Sequence, residues 1–354
     1  MKTEVLIIGA GLTGMLLAYR LKKKKISFKI IEARDRIGGR IHTILSQNST
    51  PIEMGATWLG SQHQELLALL KELELPVFDQ FMKGTALFES LSTSPVQKFK
   101  LPENQEPSYR IKGGTSSLIQ RLASELDPEQ ILLNEAVTSI NYTQDCFTVH
   151  SSKNRYTTNK IVSTLPPMLL VNSIQFDPQL SKEVIEIANH THTWMGESIK
   201  FGVSYSKPFW KENNLSGIAF SNVGPITELY DHSNLENTKY ALKGFLHDRM
   251  YLESKEHRKS KVMHQLQKFF GDQALQYLKY EEVVWRQESN TSTNTDRYIT
   301  PHQNNGHPIY QIQLFDQNFF MAGTETALHF GGYMDGAVRS AQSTYQKLIQ
   351  TIPH

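Results

Sequence analysis

Cysteine is nearly missing from this chain, because Cys146 is the only one among 354 residues. One thiol cannot form an intrachain disulfide, a cysteine-based zinc site or an iron–sulfur cluster. His190 and His192 lie in a polar stretch that has no acidic residue at metal-ligand spacing. The sequence therefore predicts no metal site, and a chain without disulfides is expected in the cytosol.

The chain also lacks an excess of charge of either sign. Its 37 lysine and arginine residues balance 35 aspartate and glutamate residues, which leaves a net charge of +2. The one dense basic run, residues 22–25, is expected at the end of the first helix, where cations complement the helix dipole. Charge therefore gives no argument for a nucleic-acid partner or an anionic membrane.

Long apolar runs are missing as well. No stretch reaches the roughly 18 apolar residues that a membrane-spanning helix needs, so no membrane span is predicted. Residues 5–19 resemble the core of a signal peptide, but they contain three glycines and have no basic leader or small-residue cleavage site. We interpret them as part of the fold, and the length of the chain predicts two domains.

The strongest pattern at the start of the chain is an apolar run followed by spaced glycines. Residues 5–8 are typical of a parallel strand buried on both faces, and residues 9–14 read Gly-Ala-Gly-Leu-Thr-Gly before a helical pattern. Such a turn places backbone N–H groups and a positive helix end where a pyrophosphate can sit. Gly9 would allow the turn, Gly11 the approach of the phosphate, and Gly14 close packing of the helix.

A second predicted strand, residues 28–31, ends in Glu32, roughly 20 residues beyond the glycines. An acidic side chain at this point accepts hydrogen bonds from a ribose diol and disfavours a 2′-phosphate. The pattern thus predicts a dinucleotide other than NADP.

The continuation, residues 32–40, reads Glu-Ala-Arg-Asp-Arg-Ile-Gly-Gly-Arg and resembles the flavin amine oxidase family. Its wider group includes polyamine oxidases, L-amino-acid oxidases and protoporphyrinogen oxidases. In that family the arginine contacts the FAD pyrophosphate as a fork-shaped donor, so Arg40 takes that role by resemblance. Asp35 and Arg36 are given no function.

The resemblance extends along most of the chain. Residues 53–58 are similar to the family segment that runs beside the isoalloxazine, although Trp58 could instead be a tryptophan of the core. Residues 131–137 resemble the strand whose valine backbone pairs with adenine. Val137 is the candidate for this contact, and the alternative is that its side chain only packs in the strand. Residues 161–167 resemble the strand that returns under the cofactor, and residues 319–337 are similar to the segment that contacts the ribityl phosphate and flavin.

Two residues carry the catalytic interpretation. Residues 199–203 alternate at strand period, so Lys200 projects away from the apolar face, either to solvent or to a functional site. The family has a lysine at this place, near flavin N5, where a cation favours electron transfer to oxygen. Tyr333 aligns with one of two aromatic residues that flank the amine in monoamine oxidases. The second cannot be placed in residues 290–298.

The sequence also departs from the family. The family carries a longer helical insertion where residues 75–109 are short and rich in Pro, Ser, Gln and Glu, and this implies a more open entrance or a site closed by other elements. Monoamine oxidases attach FAD through a cysteine near residues 290–298, and none is present here. We therefore expect FAD to be bound without a covalent bond.

These patterns predict an α/β fold with a discontinuous Rossmann-type FAD-binding domain and a smaller mixed-sheet α+β substrate domain. The FAD domain is predicted at 1–75, 109–175 and 286–354, and the substrate domain at 76–108 and 176–285. The resemblance implies oxidation of a small-molecule amine to an imine by FAD, with oxygen reduced to hydrogen peroxide. The alternatives are a C–C desaturase of the protoporphyrinogen oxidase type and a flavin-containing binding module without turnover. The oligomeric state stays open.

The predicted catalytic residues are Lys200 and Tyr333. The residues predicted to bind FAD are Gly9, Gly11, Leu12, Thr13, Gly14, Glu32, Ala33, Arg34, Gly39, Arg40, Gly55, Ala56, Thr57, Trp58, Val137, Thr164, Gly323, Glu325 and Met334.

Overall fold

The apolar run at the start of the chain forms the centre of the first sheet. The computed structural model describes residues 2–46, 49–102, 106–291 and 299–352. Val5 and Ile7 pack on one face of the sheet, and Leu6 and Ile8 pack on the other, as the two-residue period of a strand requires. Both faces are therefore covered by other parts of the chain.

The first sheet has eight strands, in the order β10-β2-β1-β13-β12-β11-β14, with β20 paired to β13. The pairs among β10, β2, β1, β13 and β20 are parallel, whereas β12 runs antiparallel to β11 and β13. The strands are β1 Lys2–Ile8, β2 Phe28–Ile31, β10 Ile131–Leu132, β11 Val137–Thr143, β12 Cys146–Ser151, β13 Arg155–Ser163, β14 Gln175–Asp177 and β20 Phe319–Met321.

Helices cover both faces of this sheet. Helices α1, α2, α3 and α8 contribute to the apolar core on one face, and α4 and α5 contribute to the core on the other. The helices are α1 Leu12–Lys23, α2 Gln64–Glu72, α3 Ser116–Ala123, α4 Pro167–Ser173, α5 Lys182–Asn189 and α8 Met334–Thr351. This arrangement confirms the predicted Rossmann-type α/β domain, which is assembled from separate parts of the chain.

The second sheet has seven strands, in the order β19-β15-β18-β17-β16-β7-β8. All its pairs are antiparallel except the pair of β16 with β7, so it is a mixed sheet as predicted. Its elements are β7 Thr85–Glu89, β8 Gln97–Lys100, β15 Ile199–Tyr205, β16 Leu215–Ser221, β17 Ile226–Asp231, β18 Tyr240–Leu246 and β19 Tyr277–Val284, with helices α6 Phe209–Glu212 and α7 Lys255–Phe270.

Short strands connect the two large sheets. They are β3 Thr43–Ile44 paired with β4 Ile52–Glu53, and β5 Leu59–Gly60 and β6 Val77–Asp79 on either side of β9 Ser108–Ile111. Where β15 passes β4, a Cβ on Gly202 would collide with the side chain of Ile52, so only glycine allows this close approach. The second sheet is thereby held tightly against the first domain.

Three segments have features that the local sequence patterns do not indicate. Residues 131–137 form two strands, because Asn134 has a φ of +56° and the chain turns there to leave β2 and join β12. Residues 75–109, which show little periodicity, supply β6, β7 and β8. Strand β14 lies across the domain boundary predicted at residue 175 and pairs with β11 of the first sheet. The domain limits stay a prediction.

Candidate functional site

The glycine turn between β1 and α1 forms one wall of a cavity. Gly9 has a φ of +103°, a conformation that L side chains rarely adopt. A Cβ on Gly11 would meet no atom within 4 Å, so the backbone there borders open space. A Cβ on Gly14 would collide with the carbonyl oxygen of Gly9. Gly11 therefore leaves room for a ligand, whereas Gly14 acts through the packing of α1.

Glu32 joins the end of β2 to this turn. Its Oε2 accepts a hydrogen bond from the backbone N of Ala10 at 2.8 Å, and its Oε1 accepts one from the backbone N of Arg34 at 2.9 Å. The side chain is buried but borders the cavity. A carboxylate has about four lone-pair sites, so acceptor capacity remains for ligand hydroxyl groups such as a ribose diol.

Arg34 closes the same end of the cavity. Its Nη2 donates to Thr291 Oγ1 at 2.5 Å, its Nη1 donates to Asn290 O at 3.2 Å, and its Nε donates to Glu288 Oε2 at 3.3 Å. The chain after β19 is therefore tied to the end of β2. Asn290 and Thr291 begin the stretch 290–298, which the resemblance places near the flavin, but no residue of it was named as a site residue because nothing in the local sequence indicates the contact with Arg34.

Arg40 and Glu325 form a forked pair between the glycine-rich segment and the segment after β20. Arg40 Nη1 donates to Glu325 Oε1 at 2.5 Å, and Nη2 donates to Oε2 at 2.9 Å. The Glu325 side chain is 1% exposed, whereas the Arg40 side chain is 24% exposed and borders the cavity. Glu325 lies behind Arg40 and does not line the cavity, so its position suits it to orient the guanidinium group.

The cavity bordered by these residues has a volume of about 550 Å³. It begins at the carboxyl ends of the parallel strands, where α/β folds bind dinucleotides, and extends to the second sheet. The predicted site residues that line it are Gly9, Gly11, Leu12, Thr13, Glu32, Ala33, Arg34, Gly39, Arg40, Gly55, Ala56, Thr57, Trp58, Val137, Thr164, Lys200, Gly323, Tyr333 and Met334.

Residues 55–58 form the cavity wall next to the second sheet. A Cβ on Gly55 would collide with a backbone carbonyl oxygen of the preceding glycine-rich segment, so the two stretches of backbone lie in direct contact. Trp58 borders the cavity, and its Nε1 donates to Gln80 Oε1 at 2.8 Å. Its ring meets the Tyr230 ring edge-on, with 4.9 Å between centroids. The indole is therefore held in one orientation.

Lys200 is buried on the cavity face of β15, which excludes the solvent-facing alternative. Its Nζ donates to Gly55 O at 2.7 Å and lies 5.0 Å from the centroid of the Phe245 ring. Burial lowers the pKa of Lys200 to about 8, against a smaller opposite effect of Glu53. Near neutral pH the cavity therefore contains a mostly protonated amine at this end.

Tyr333 is the residue before the first turn of α8, and Met334 and Ala337 in that turn border the cavity. The positive end of the helix dipole thus faces the cavity. The Tyr333 ring lies parallel to the His302 imidazole, with 5.6 Å between centroids, and 6.0 Å from the Trp194 ring. The second aromatic residue was sought in residues 290–298, and the part of this stretch from 292 to 298 lies outside the described residues.

Several lining residues were missed by the sequence interpretation. Phe245 and Trp285 belong to apolar strand patterns, which predict a core rather than a cavity wall. Trp194 lies in a polar loop without periodicity. Behind the wall lies Lys243 of β18, a second fully buried lysine that no local pattern distinguishes from an ordinary strand residue.

The residues present fit FAD. The open space at Gly11 suits a phosphate close to the backbone, Glu32 suits a ribose, and the N–H groups of Arg40 that do not bond Glu325 suit a pyrophosphate oxygen. Gly55 and its neighbours present backbone to a flat ring at the far end. The cavity thus offers one set of groups for each part of a long dinucleotide.

Other kinds of site find no support in the part of the chain that the structure describes. No group of three or more His, Cys, Asp or Glu side chains that could hold a metal ion occurs among those residues. Among the same residues, every helix is too short or too polar to cross a lipid bilayer.

Comparison with known proteins places the chain among flavoenzymes. A family model described as flavin containing amine oxidoreductase matches residues 12–95 and 88–349. The chain is 23% identical to amine oxidase [flavin-containing] A of Canis lupus familiaris, over 99% of this chain and 85% of that protein. It is 24% identical to a probable flavin-containing monoamine oxidase A of Dictyostelium discoideum, over 95% of both chains.

Solved structures show the same fold. A putrescine oxidase bound to putrescine superimposes with a TM-score of 0.83 at 22% identity, over 99% of both chains. Cyclohexylamine oxidase from Brevibacterium oxydans superimposes with a TM-score of 0.84 at 19% identity, over 98% of this chain and 99% of that one. At these identities the likeness extends to the fold alone.

Proposed function

Because this chain belongs to the flavin-containing amine oxidoreductases, we propose that it uses FAD to oxidise the C–N bond of a small amine. The products are an imine, which water hydrolyses to a carbonyl compound, and hydrogen peroxide from oxygen. The observation that carries the proposal is Lys200, a buried cation at the end of the cavity where residues 55–58 form the wall. The flavin supplies the two-electron chemistry when bound.

The chain's own residues bind FAD and stabilise the charges that develop during the reaction. At one end of the cavity Glu32 and Val137 suit the adenosine part of FAD, and Arg40 suits the pyrophosphate. At the other end the N-terminus of α8 would stabilise negative charge on the reduced ring system. Lys200 would stabilise the charge that develops on oxygen, because a buried cation acts through a low local dielectric.

FAD is proposed to bind without a covalent bond. The only cysteine of the chain, Cys146, lies in β12 and does not line the cavity. The N–H groups of Arg40 that do not bond Glu325 and the backbone N–H groups of the glycine turn are the proposed anchors instead. A cytosolic location remains a prediction from the sequence.

The proposed substrate is an amine with an apolar body and no second positive charge. Trp58, Phe245 and Trp285 line the far end of the cavity. Among the described lining residues, carboxylates occur only at Glu32 and Glu135, both at the adenosine end. A diamine would therefore bring its second ammonium group next to rings and Lys200 without a described partner.

Product analysis tests this proposal. The FAD-loaded protein is incubated in air with a panel that contains arylalkylamines, cyclohexylamine, putrescine and amino acids, and aldehyde or ketone and hydrogen peroxide are measured. We expect equal amounts of carbonyl compound and peroxide from the apolar monoamines. Peroxide formed without a matching amount of carbonyl product would contradict oxidation of the C–N bond and favour the desaturase type instead.

A further inference from the structure

Two buried lysines share the cavity side of the second sheet. In the antiparallel pairing of β15 with β18, Lys200 lies opposite Phe245 and Gly202 lies opposite Lys243. Lys200 and Lys243 are therefore diagonal neighbours on the same face. Lys200 is 5% exposed and Lys243 is 0% exposed. Only Lys200 borders the cavity.

A short hydrogen-bonded chain joins the two amines. Lys243 Nζ donates to Thr57 Oγ1, and Thr57 Oγ1 donates to Gly55 O at 3.1 Å. Lys200 Nζ donates to the same carbonyl oxygen at 2.7 Å. Lys243 Nζ also lies 4.3 Å from the centroid of the Trp58 ring. Both lysines therefore act on the wall formed by residues 55–58, Lys200 from the cavity and Lys243 from behind.

The surroundings of Lys243 are unfavourable for a charged amine. Among the described residues, its amine has one hydrogen-bond partner, Thr57, and no carboxylate within ion-pair distance. Burial and then the charge of Lys200 lower the pKa of Lys243 well below its usual value, whereas Glu53 raises it. A methionine would fill the same space without the desolvation cost of an amine. Groups that cost stability are typical of functional sites.

We propose that Lys243 is a positioning residue of the active site, which fixes Thr57 and the Trp58 ring so that the wall keeps its shape towards flavin and substrate. This inference rests on the proposed function, because it takes the wall to face both. Lys243 itself touches neither. Trp58 is held from three sides, by Gln80 at its Nε1, by Tyr230 at its ring edge and by Lys243 at its face.

Four variants test this role. Lys243→Met removes the amine and keeps the length of the side chain, and Thr57→Val removes the hydroxyl that links the amine to the wall. The double variant shows whether the two act together. The matched control is Lys160→Met, because Lys160 is also buried, at 5% exposed, and its Nζ donates to one partner, Asn318 Oδ1, at 2.7 Å, away from the cavity.

The readouts are the thermal unfolding midpoint, the visible circular dichroism of bound FAD, and the anaerobic reduction rate as a function of amine concentration. Lys243→Met is expected to unfold at the same temperature or higher, to change the flavin circular dichroism and to weaken amine binding about tenfold, because the wall that contacts the amine loses its fixed position. The limiting reduction rate should change less than the dissociation constant. Thr57→Val should change the flavin circular dichroism and amine binding in the same way. The double variant should weaken amine binding no further than either single variant does.

Other results overturn the inference. If Lys243→Met leaves the circular dichroism and amine binding as they are in Lys160→Met, Lys243 does not position the wall. A lower unfolding midpoint with an unchanged flavin signal would make it a purely structural residue, and additive effects with Thr57→Val would separate it from the wall. If no amine reduces the parent protein, the proposed function fails, while the circular dichroism and unfolding measurements still decide the role of Lys243.

Discussion

Replacing Arg40 by lysine tests how the cavity holds a pyrophosphate. The change keeps the positive charge but removes the planar fork, which donates two bonds to Glu325 in the structure. A more drastic change would leave the carboxylate of Glu325, 1% exposed, without a cation and endanger folding. Arg40→Lys is therefore expected to fold, with a modest loss of stability.

The magnitude follows from one lost charge-assisted hydrogen bond to the phosphate. Such a bond contributes about 1.5–3 kcal/mol, and the lower half of this range applies because Arg40 is 24% exposed. Since about 1.4 kcal/mol is a factor of ten, FAD binding should weaken roughly ten- to fortyfold.

The assay is a titration of apoprotein with FAD, followed by the change in flavin fluorescence. The matched control is Arg20→Lys, because Arg20 donates in the same forked manner to Glu72, at 2.5 and 2.6 Å, between α1 and α2 and away from the cavity. Arg20→Lys should leave FAD affinity unchanged. An unchanged dissociation constant in Arg40→Lys would refute the assignment of Arg40 to the pyrophosphate.

Three further predictions concern the charge at Lys200, the glycine turn and the linkage of the cofactor. Because the pKa of Lys200 is about 8, its charge is lost as pH rises through that value, so reoxidation of the reduced protein should slow over this range. In Lys200→Met reoxidation should be slow at every pH, with FAD still bound. Stopped-flow mixing of the reduced proteins with oxygen measures both rates. Gly11→Ala should unfold at the parent temperature but bind FAD more weakly, whereas Gly14→Ala should lower the unfolding midpoint, since its Cβ meets backbone. Acid precipitation should release all flavin into the supernatant, and flavin retained in the pellet would contradict non-covalent binding.

The elements built from strong local patterns could be predicted from the sequence. The apolar run, the glycine turn and the helix that follows appear as β1 and α1, and the lysine run ends α1 at Lys23 as expected. Residues 319–337, which were assigned by resemblance, supply β20 and the start of α8 at the cavity. In β1, the glycine turn and α1 the pattern and the structure depend on the same few neighbouring residues, so local sequence is sufficient.

Features that depend on pairing between distant strands could not be predicted. Lys200 and Lys243 both stand in alternating strands, and only the register of β15 against β18 places them on one face. Glu325 aligns with a cofactor-binding segment, but its position behind Arg40 depends on two segments that are 285 residues apart. The break at Asn134 depends on a change of strand partner, which the apolar residues 131–133 do not reveal.

The central claim is tested most directly by mixing the FAD-loaded protein with amines in the absence of oxygen. We expect an apolar monoamine to bleach the visible flavin absorption, and we expect admitted oxygen to restore it with one hydrogen peroxide per flavin. A flavin that dithionite reduces but that no amine in the panel bleaches would contradict amine oxidation by this protein.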